Sequence, residues 1–461
     1  MEKEWHKIFL KYILMFGIIL VFIIPPMQAP DENVHFLNAY AFMKGDLYPT
    51  YIGDSYIGRE FPKEIIRYVE DWNSNDRKRA DIEEVFFVNS GYINEQDVSF
   101  YGHWASDTNM LGYISSGTGM FIISLIYRIF GGNLNCYSLL LAGRICNLLF
   151  YSIIMFFAIK ISPFYKKTMT LLALMPMSIF LVSSMSYDSV IIPCCFLLFS
   201  IVLKFRVERE SITISWLLIM CFLSLVLFNV KTVYSPLLIS LAFIPMERFG
   251  GLKNYLKAGL IIIACGLSVY ITNNILLIAH IHGFTDPYRD VMMTQRAFLL
   301  DNPLRFFKTI LYTINMLKQQ YAVSFIGNLG KLSFSLPSLI LLNYGFILVI
   351  SAIIEGTKCS IFNVWHKLGF VIIFILIIYV SFAGIYTTWT AIQQGPGGSW
   401  VDGIQGRYFI PFFIFVPLLI SHKPLIKMNN INSYLEIITY YTVTIVPIIT
   451  IIFVILRFWK I

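Results

Sequence analysis

Two carboxylates and an imidazole stand together in Pro25-Pro26-Met27-Gln28-Ala29-Pro30-Asp31-Glu32-Asn33-Val34-His35-Phe36, where a long apolar run ends. Acid groups at such a boundary remain solvated while lying close to a dry phase, and partial burial would raise their power to accept a proton. Asp31 and Glu32 are therefore candidate general bases. His35 falls one helical turn after Asp31, on the same face. The same trio offers ligands to a divalent cation, but its spacing matches no specific metal motif and leaves metal dependence open. A plainer reading also fits: acids in the first turn of a helix favour its positive end by about 0.3–1 kcal/mol. A lone histidine is more often a structural hydrogen-bonding residue than a catalytic one.

Further ionisable groups lie near the ends of other apolar runs: Arg144, Asp188 in Ser183-Ser184-Met185-Ser186-Tyr187-Asp188, and Lys231 in Asn229-Val230-Lys231-Thr232-Val233-Tyr234-Ser235-Pro236. Charges in such places are costly and usually mark a site, although Arg144 could equally snorkel or pair with another helix and Asp188 could be a solvated turn acid. The last set lies in Gln393-Gln394-Gly395-Pro396-Gly397-Gly398-Ser399-Trp400-Val401-Asp402-Gly403-Ile404-Gln405-Gly406-Arg407-Tyr408-Phe409. Its glycines permit positive φ and close approach of backbone N–H groups to a ligand. Arg407 supplies a planar fork suited to phosphate oxygens. An ordinary glycine-rich turn anchored by an interfacial Tyr and Arg is the alternative.

These residues must be positioned by membrane helices. The chain of 461 residues is 57% hydrophobic and only 13% charged, with mean hydropathy +0.69, outside the range of soluble domains. We read it as an all-α integral membrane protein forming one polytopic domain over residues 1–461. Apolar runs fall at about 8–26, 138–159, 168–187, 189–203, 212–230, 233–246, 258–280, 336–354, 368–386, 408–421 and 434–456, giving about 11 expected spans of roughly 20 residues or fewer. The first is too long for a signal-peptide core and lacks a small-x-small cleavage site, so it is expected to remain as a span. Residues 114–130 open with Ser115-Ser116-Gly117-Thr118-Gly119, which leaves only Met120–Tyr127 strongly apolar and predicts a segment lying flat or dipping into the membrane.

Charge placement supports that choice. With 114–130 not crossing, Lys3, Lys7, Lys160, Lys166, Lys167, Lys204, Arg206, Arg209, Arg248, Lys253, Lys257, Lys358, Lys367, Lys423 and Lys427 collect on one side, which the positive-inside rule makes cytoplasmic. The expected topology has the N-terminus inside and the C-terminus outside. External segments then cover 27–137 with interfacial helices, 281–335, and the Gly-rich 387–407. Within the first, Pro30–Lys44 reads as a helix opened by Pro and stopped by Gly45, and Phe61–Trp72 as an amphipathic helix. The net charge of +8 is mostly topology and does not call for nucleic acid. The seven cysteines form no metal-ligand spacing and no obvious disulfide set, and no P-loop, nucleophile elbow or HExxH motif occurs. This topology brings Asp31, Glu32, His35, Arg144, Asp188, Lys231 and Arg407 to one external membrane level.

Several of these motifs, in order along the chain, resemble a family of bacterial polytopic membrane proteins grouped with the GT-C glycosyltransferases. They are Pro25-Pro26 through Pro30-Asp31-Glu32-x-x-His35-Phe36, the Arg144 span, Met175-Pro176-Met177 running to Ser186-Tyr187-Asp188, Lys231–Pro236, Gly327-Asn328-Leu329-Gly330 leading to Pro337, and Gly403-Ile404-Gln405-Gly406-Arg407-Tyr408-Phe409. The resemblance covers residues 20–420 and implies a GT-C-like bundle in the bacterial cytoplasmic membrane. It also implies transfer of a sugar, with inversion, from a polyprenyl-phosphate donor to a lipid-linked or envelope glycan acceptor outside. Asp31 or Glu32 would then act as base or metal ligand; Arg407 with Gln405, and further Lys231 and Arg144, would hold the donor phosphate. His35, Asp188, Tyr234 and Tyr408 complete the candidate set. The stretch Leu111–Gly119 lacks the proline usual in that family, which bears on acceptor recognition. Two alternatives stay open: a polysaccharide polymerase or ligase, and a lipid-linked glycan transporter or flippase. Transporters tend to show repeated halves with charges at mid-membrane; here there is no internal repeat and the charges sit at one surface.

Overall fold

The protein is described by a computed structural model covering residues 4–53, 57–73, 80, 81, 83, 85, 91–357, 361–420 and 429–460. Lys3, Lys358, Lys423 and Lys427, used above for topology, lie outside the described residues. The elements in order are α1 (Trp5–Ile23), α2 (Glu32–Lys44), β1 (Gly58–Pro62), α3 (Lys63–Asn73), β2 (Val98–Gly102), α4 (Ile114–Phe130), α5 (Cys136–Ile161), α6 (Lys166–Ala173), α7 (Pro176–Val182), α8 (Asp188–Val207), α9 (Ile214–Asn229), α10 (Leu252–His280), α11 (Arg289–Asp301), α12 (Pro303–Ile326), β3 (Asn328–Leu329), β4 (Phe334–Ser335), α13 (Ser338–Gly356), α14 (Val364–Ile385), α15 (Ala391–Gln394), α16 (Ile410–Phe413), α17 (Pro417–Ile420) and α18 (Asn429–Phe458). The chain is thus an all-α membrane protein. Among the described residues, two small antiparallel two-stranded sheets, β1–β2 and β3–β4, decorate the bundle.

Among the described residues, eight helices are long and apolar enough to cross a membrane: α1, Met110–Phe130, α5, α8, α10, α13, Val364–Gln394 and the 432–458 part of α18. Seven of the eleven expected runs are among them. The other four are shorter, and proline is the cause in three. Residues 168–187 break into α6 and α7 because Pro176 opens α7 and Met175 before it is extended. Residues 232–243 form a 3-10 helix that contains Pro236, and 408–421 divide into single turns around Pro411 and Pro417. The fourth, α9, is one helix of 16 residues. Broken backbone at membrane depth is tolerated where protein surrounds it, and α6 and α7 lie in the fully buried core.

Residues 114–130 form one continuous helix, α4, where the sequence offers only Met120–Tyr127 as a strongly apolar core. A 3-10 turn at Met110–Tyr113 leads directly into α4, and the continuous 21-residue segment has the length and composition of a span. Ser115, Ser116, Gly117 and Gly119 form its buried face, while Phe121, Ile122, Leu125, Ile126, Ile129 and Phe130 are exposed. Its polar start is therefore a packing face against α5, not a break. Ser115 donates to Asn147 at 2.6 Å and Tyr127 meets Ser138 at 3.0 Å, so α4 runs antiparallel to the first half of α5. Two smaller corrections concern the first loop: Phe61 and Pro62 belong to strand β1, with α3 following, and α2 begins at Glu32 instead of Pro30.

Candidate functional site

Asp31 and Glu32 are adjacent, but they point to different places. Asp31 precedes α2 in the left-handed region, φ 59°, an uncommon conformation for a residue with a side chain, and this turns it away from Glu32. Glu32 enters the core and meets Arg144 of α5, both side chains fully buried. Arg144 Nε and Nη2 donate to the two carboxylate oxygens at 2.8 and 2.7 Å. Its remaining N–H groups donate to the carbonyls of Val21 at 3.0 Å, Ile24 at 2.6 Å and Pro25 at 3.1 Å. The last carbonyls of a helix have no intrahelical partner, and here Arg144 serves those of Val21 and Ile24, while that of Pro25 also accepts from Gln28 N at 3.4 Å. Met185 N donates to Glu32 at 2.9 Å. Arg144 and Glu32 thus form a clasp joining α1, α2, α5 and the α7–α8 connection, with all five guanidinium N–H groups engaged.

Above the clasp lies a second set of charges. Arg407 Nη2 donates to Asp31 Oδ2 at 2.5 Å, its Nη1 lies 3.7 Å from Asp188 Oδ2, and its Nε donates to Gln405 at 2.6 Å. Arg407 and Asp188 are almost fully buried, whereas the Asp31 side chain is 37% exposed. Lys231 follows α9, and its ammonium is buried without a hydrogen-bond partner among the described residues. It lies over the Tyr408 ring at 4.0 Å, with Tyr187 at 5.4 Å and Tyr234 at 5.6 Å. Tyr234 OH donates to the Tyr408 carbonyl at 2.8 Å, tying the 3-10 helix to the Arg407 turn. On the α2 side, His35 Nδ1 and Tyr113 OH are 3.0 Å apart and the His35 ring packs edge-on to Tyr187.

Burial opposes ionisation of Asp31, but the Arg407 charge, then His35, outweigh it and hold the carboxyl below its ordinary value. His35 is pushed down to about 4 by burial, against the pull of Asp31, and is neutral at pH 7. Burial also lowers Lys231 to about 8, only partly countered by Asp188. The ten candidate residues therefore occupy one connected region. Eight of them, Asp31, His35, Asp188, Lys231, Tyr234, Gln405, Arg407 and Tyr408, surround the upper cluster. Glu32 and Arg144 do not face it: the carboxylate and the guanidinium satisfy one another in the core. With Glu32 turned inward, Asp31, Glu32 and His35 do not assemble as a metal-ligand set. Among the described residues no three His, Cys, Asp or Glu side chains do.

The glycine-rich segment also differs from the expectation. Several of its backbone N–H groups already have internal partners: Gly397 donates to Gln295 at 2.6 Å, Val401 to Thr313 at 2.9 Å, Asp402 to Thr390 at 3.0 Å and Gly406 to Ser324 at 2.9 Å. Those contacts make the segment a bracket for Arg407. Gly406 is essential to the fit, since a Cβ there would lie 2.1 Å from the Tyr321 carbonyl of α12. Tyr187, Tyr113 and Asn38, which donates to Tyr113 at 3.2 Å, were not singled out from sequence. Tyr187 stood beside Asp188 in the Ser-rich turn, which was the available signal.

A bundle of membrane-spanning helices with acids, cations and tyrosines gathered where short and broken helices end defines a multi-pass membrane protein with a buried polar site. The chain belongs to the predicted membrane protein family DUF2142, whose profile matches residues 14–416. No curated protein and no solved structure matches it. The matched span includes both the clasp and the upper cluster.

Proposed function

We propose that the protein is a membrane glycosyltransferase that moves a sugar from a polyprenyl-phosphate donor to a cell-envelope glycan on the external face of the cytoplasmic membrane, with inversion. The observation that carries this reading is Lys231: a buried ammonium walled by three tyrosines, with no hydrogen-bond acceptor among the described residues. A buried charge left in that state favours a mobile anion. Arg407 beside it presents the fork that phosphate oxygens fit, and Asp31 is the carboxylate next to both.

In the proposed reaction the donor phosphate binds Lys231 and displaces Asp31 from Arg407. Asp31, relieved of its strongest counter-charge, becomes a better base and takes the proton of the acceptor hydroxyl. The acceptor oxygen bonds to the anomeric carbon from the face opposite the phosphate. The carbon–phosphate-oxygen bond breaks with its electron pair leaving on the phosphate, where Lys231 and Arg407 stabilise the charge. Asp188 keeps Arg407 in place throughout.

The test is binding of undecaprenyl phosphate to the full chain in lipid nanodiscs. Lys231→Ala and Arg407→Ala should each weaken it by about tenfold or more, consistent with loss of a charged hydrogen bond. Binding equal to wild type in both variants would overturn the donor assignment.

A further inference from the structure

Beside the charged cluster is a cavity of about 420 Å³ between the first loop, the end of α9 and α10. Its volume falls within the roughly 300–1,000 Å³ usual for small-molecule sites. Two chain segments pass from the cavity into the cluster. Asn109, Met110 and Leu111 line the cavity, and Tyr113 at the end of the same turn contacts His35. Asn229, Val230 and Thr232 line it as well, and Lys231 between them enters the cluster. Gly112 forms the partition: a Cβ there would meet Tyr187 of the cluster at 3.2 Å and Val230 of the cavity wall at 3.3 Å.

Among the described residues the lining contains no Lys, Arg or His and one acid, Asp107, so it is not built for an anion. Instead it holds four asparagines, Asn109, Asn229, Asn273 and Asn274, with Tyr48 and Tyr270. The amides are held in register. Asn109 donates to Asn229 at 3.1 Å, Asn273 to Asn229 at 3.4 Å, and Tyr48 OH to Asn273 at 3.1 Å. Asn229 anchors the group by donating to the Gly266 carbonyl at 3.2 Å. Oriented amides pair with vicinal hydroxyls, having a donor and an acceptor on one plane, and tyrosine rings cover the apolar faces of a ring. Of all α10 only Ala258, Ile262 and Gly266 are buried, Gly266 against Ser224 of α9, so the outer wall of the cavity is a helix whose other face is exposed.

We infer that this cavity is a subsite for an uncharged sugar ring, holding it next to the Lys231 and Asp31 groups while a linked chain lies along α10. The inference deepens the glycosyltransferase reading and rests on it for the role of the neighbouring charges. The ring could be that of the donor or that of the acceptor; the chemistry of the subsite is the same.

The experiment measures binding to full-length protein in nanodiscs of three probes: undecaprenyl phosphate, a panel of undecaprenyl-phosphate hexoses, and a panel of neutral envelope oligosaccharides. Asn273→Ala with Asn274→Ala, and separately the milder Tyr48→Phe, should weaken one sugar panel, by about tenfold for the double variant. Bare undecaprenyl phosphate should bind as in wild type. Loss confined to the lipid-linked hexoses assigns the ring to the donor; loss confined to the oligosaccharides assigns it to the acceptor. Sugar binding unchanged in all variants, absent in wild type, or reduced only in step with undecaprenyl phosphate would overturn the subsite. Failure of the donor reading would appear separately, as undecaprenyl phosphate binding that ignores Lys231→Ala.

Discussion

Asp31 and Glu32 share a peptide bond, and each pairs with an arginine far away in sequence, but the two pairs are built for different ends. Glu32–Arg144 is fully buried, and every guanidinium N–H has an acceptor. Asp31–Arg407 lies at the edge of the core with the carboxylate partly exposed, a second acid near the guanidinium, and alongside it a lysine with no hydrogen-bond partner among the described residues. A saturated pair holds helices together; a pair that still has access can exchange partners. The left-handed backbone at Asp31 is what separates them.

The contrast can be broken most severely at the clasp. Arg144→Ala leaves Glu32 as an uncompensated buried charge, a loss of about 3–5 kcal/mol, and should abolish recovery of monodisperse protein in fluorescence-detected size exclusion. Full recovery with an unchanged melting temperature would show the clasp is not structural. A smaller loss, about 1–3 kcal/mol by overpacking, is expected for Gly406→Ala, where the new methyl is driven into α12. Because this shifts the bracket of Arg407, undecaprenyl phosphate binding should fall with it; a normal melt and normal binding would remove the bracket role.

The smallest effect concerns pH. Lys231 loses its proton near pH 8 because burial disfavours its charge, and a bound phosphate pulls that value back up. Donor affinity should therefore be constant below about pH 8 and fall above it, by no more than about tenfold per pH unit. The decline should vanish in Lys231→Ala. Arg407 stays charged throughout, so a decline that persists in that variant would assign the titration elsewhere.

Much of this region was legible in the sequence because charge at the ends of apolar runs is rare enough to stand out. Asp31, Asp188, Lys231 and Arg407 were placed at one level by topology alone, and they meet. Partner choice was not legible: Glu32 and Arg144 are 112 positions apart, and nothing in either segment tells a clasp from a site. The glycine-rich run misled for a related reason, since φ freedom says nothing about which side chains will occupy the N–H groups. Proline at 176 and 236 announced broken helices, but hydropathy averaged over the runs hid them. The asparagines of the cavity were invisible because Asn273 and Asn274 sit in a helix that otherwise reads as lipid-facing.

In the proposed reaction Asp31 acts on substrate while Glu32 holds the fold. Transfer of labelled sugar from polyprenyl-phosphate donors in membranes carrying Asp31→Asn, at matched protein abundance and melting temperature, separates the two roles. Transfer should fall by about 100-fold or more, the scale of a missing general base, with undecaprenyl phosphate still bound. Wild-type transfer by well-folded Asp31→Asn would contradict that role for Asp31.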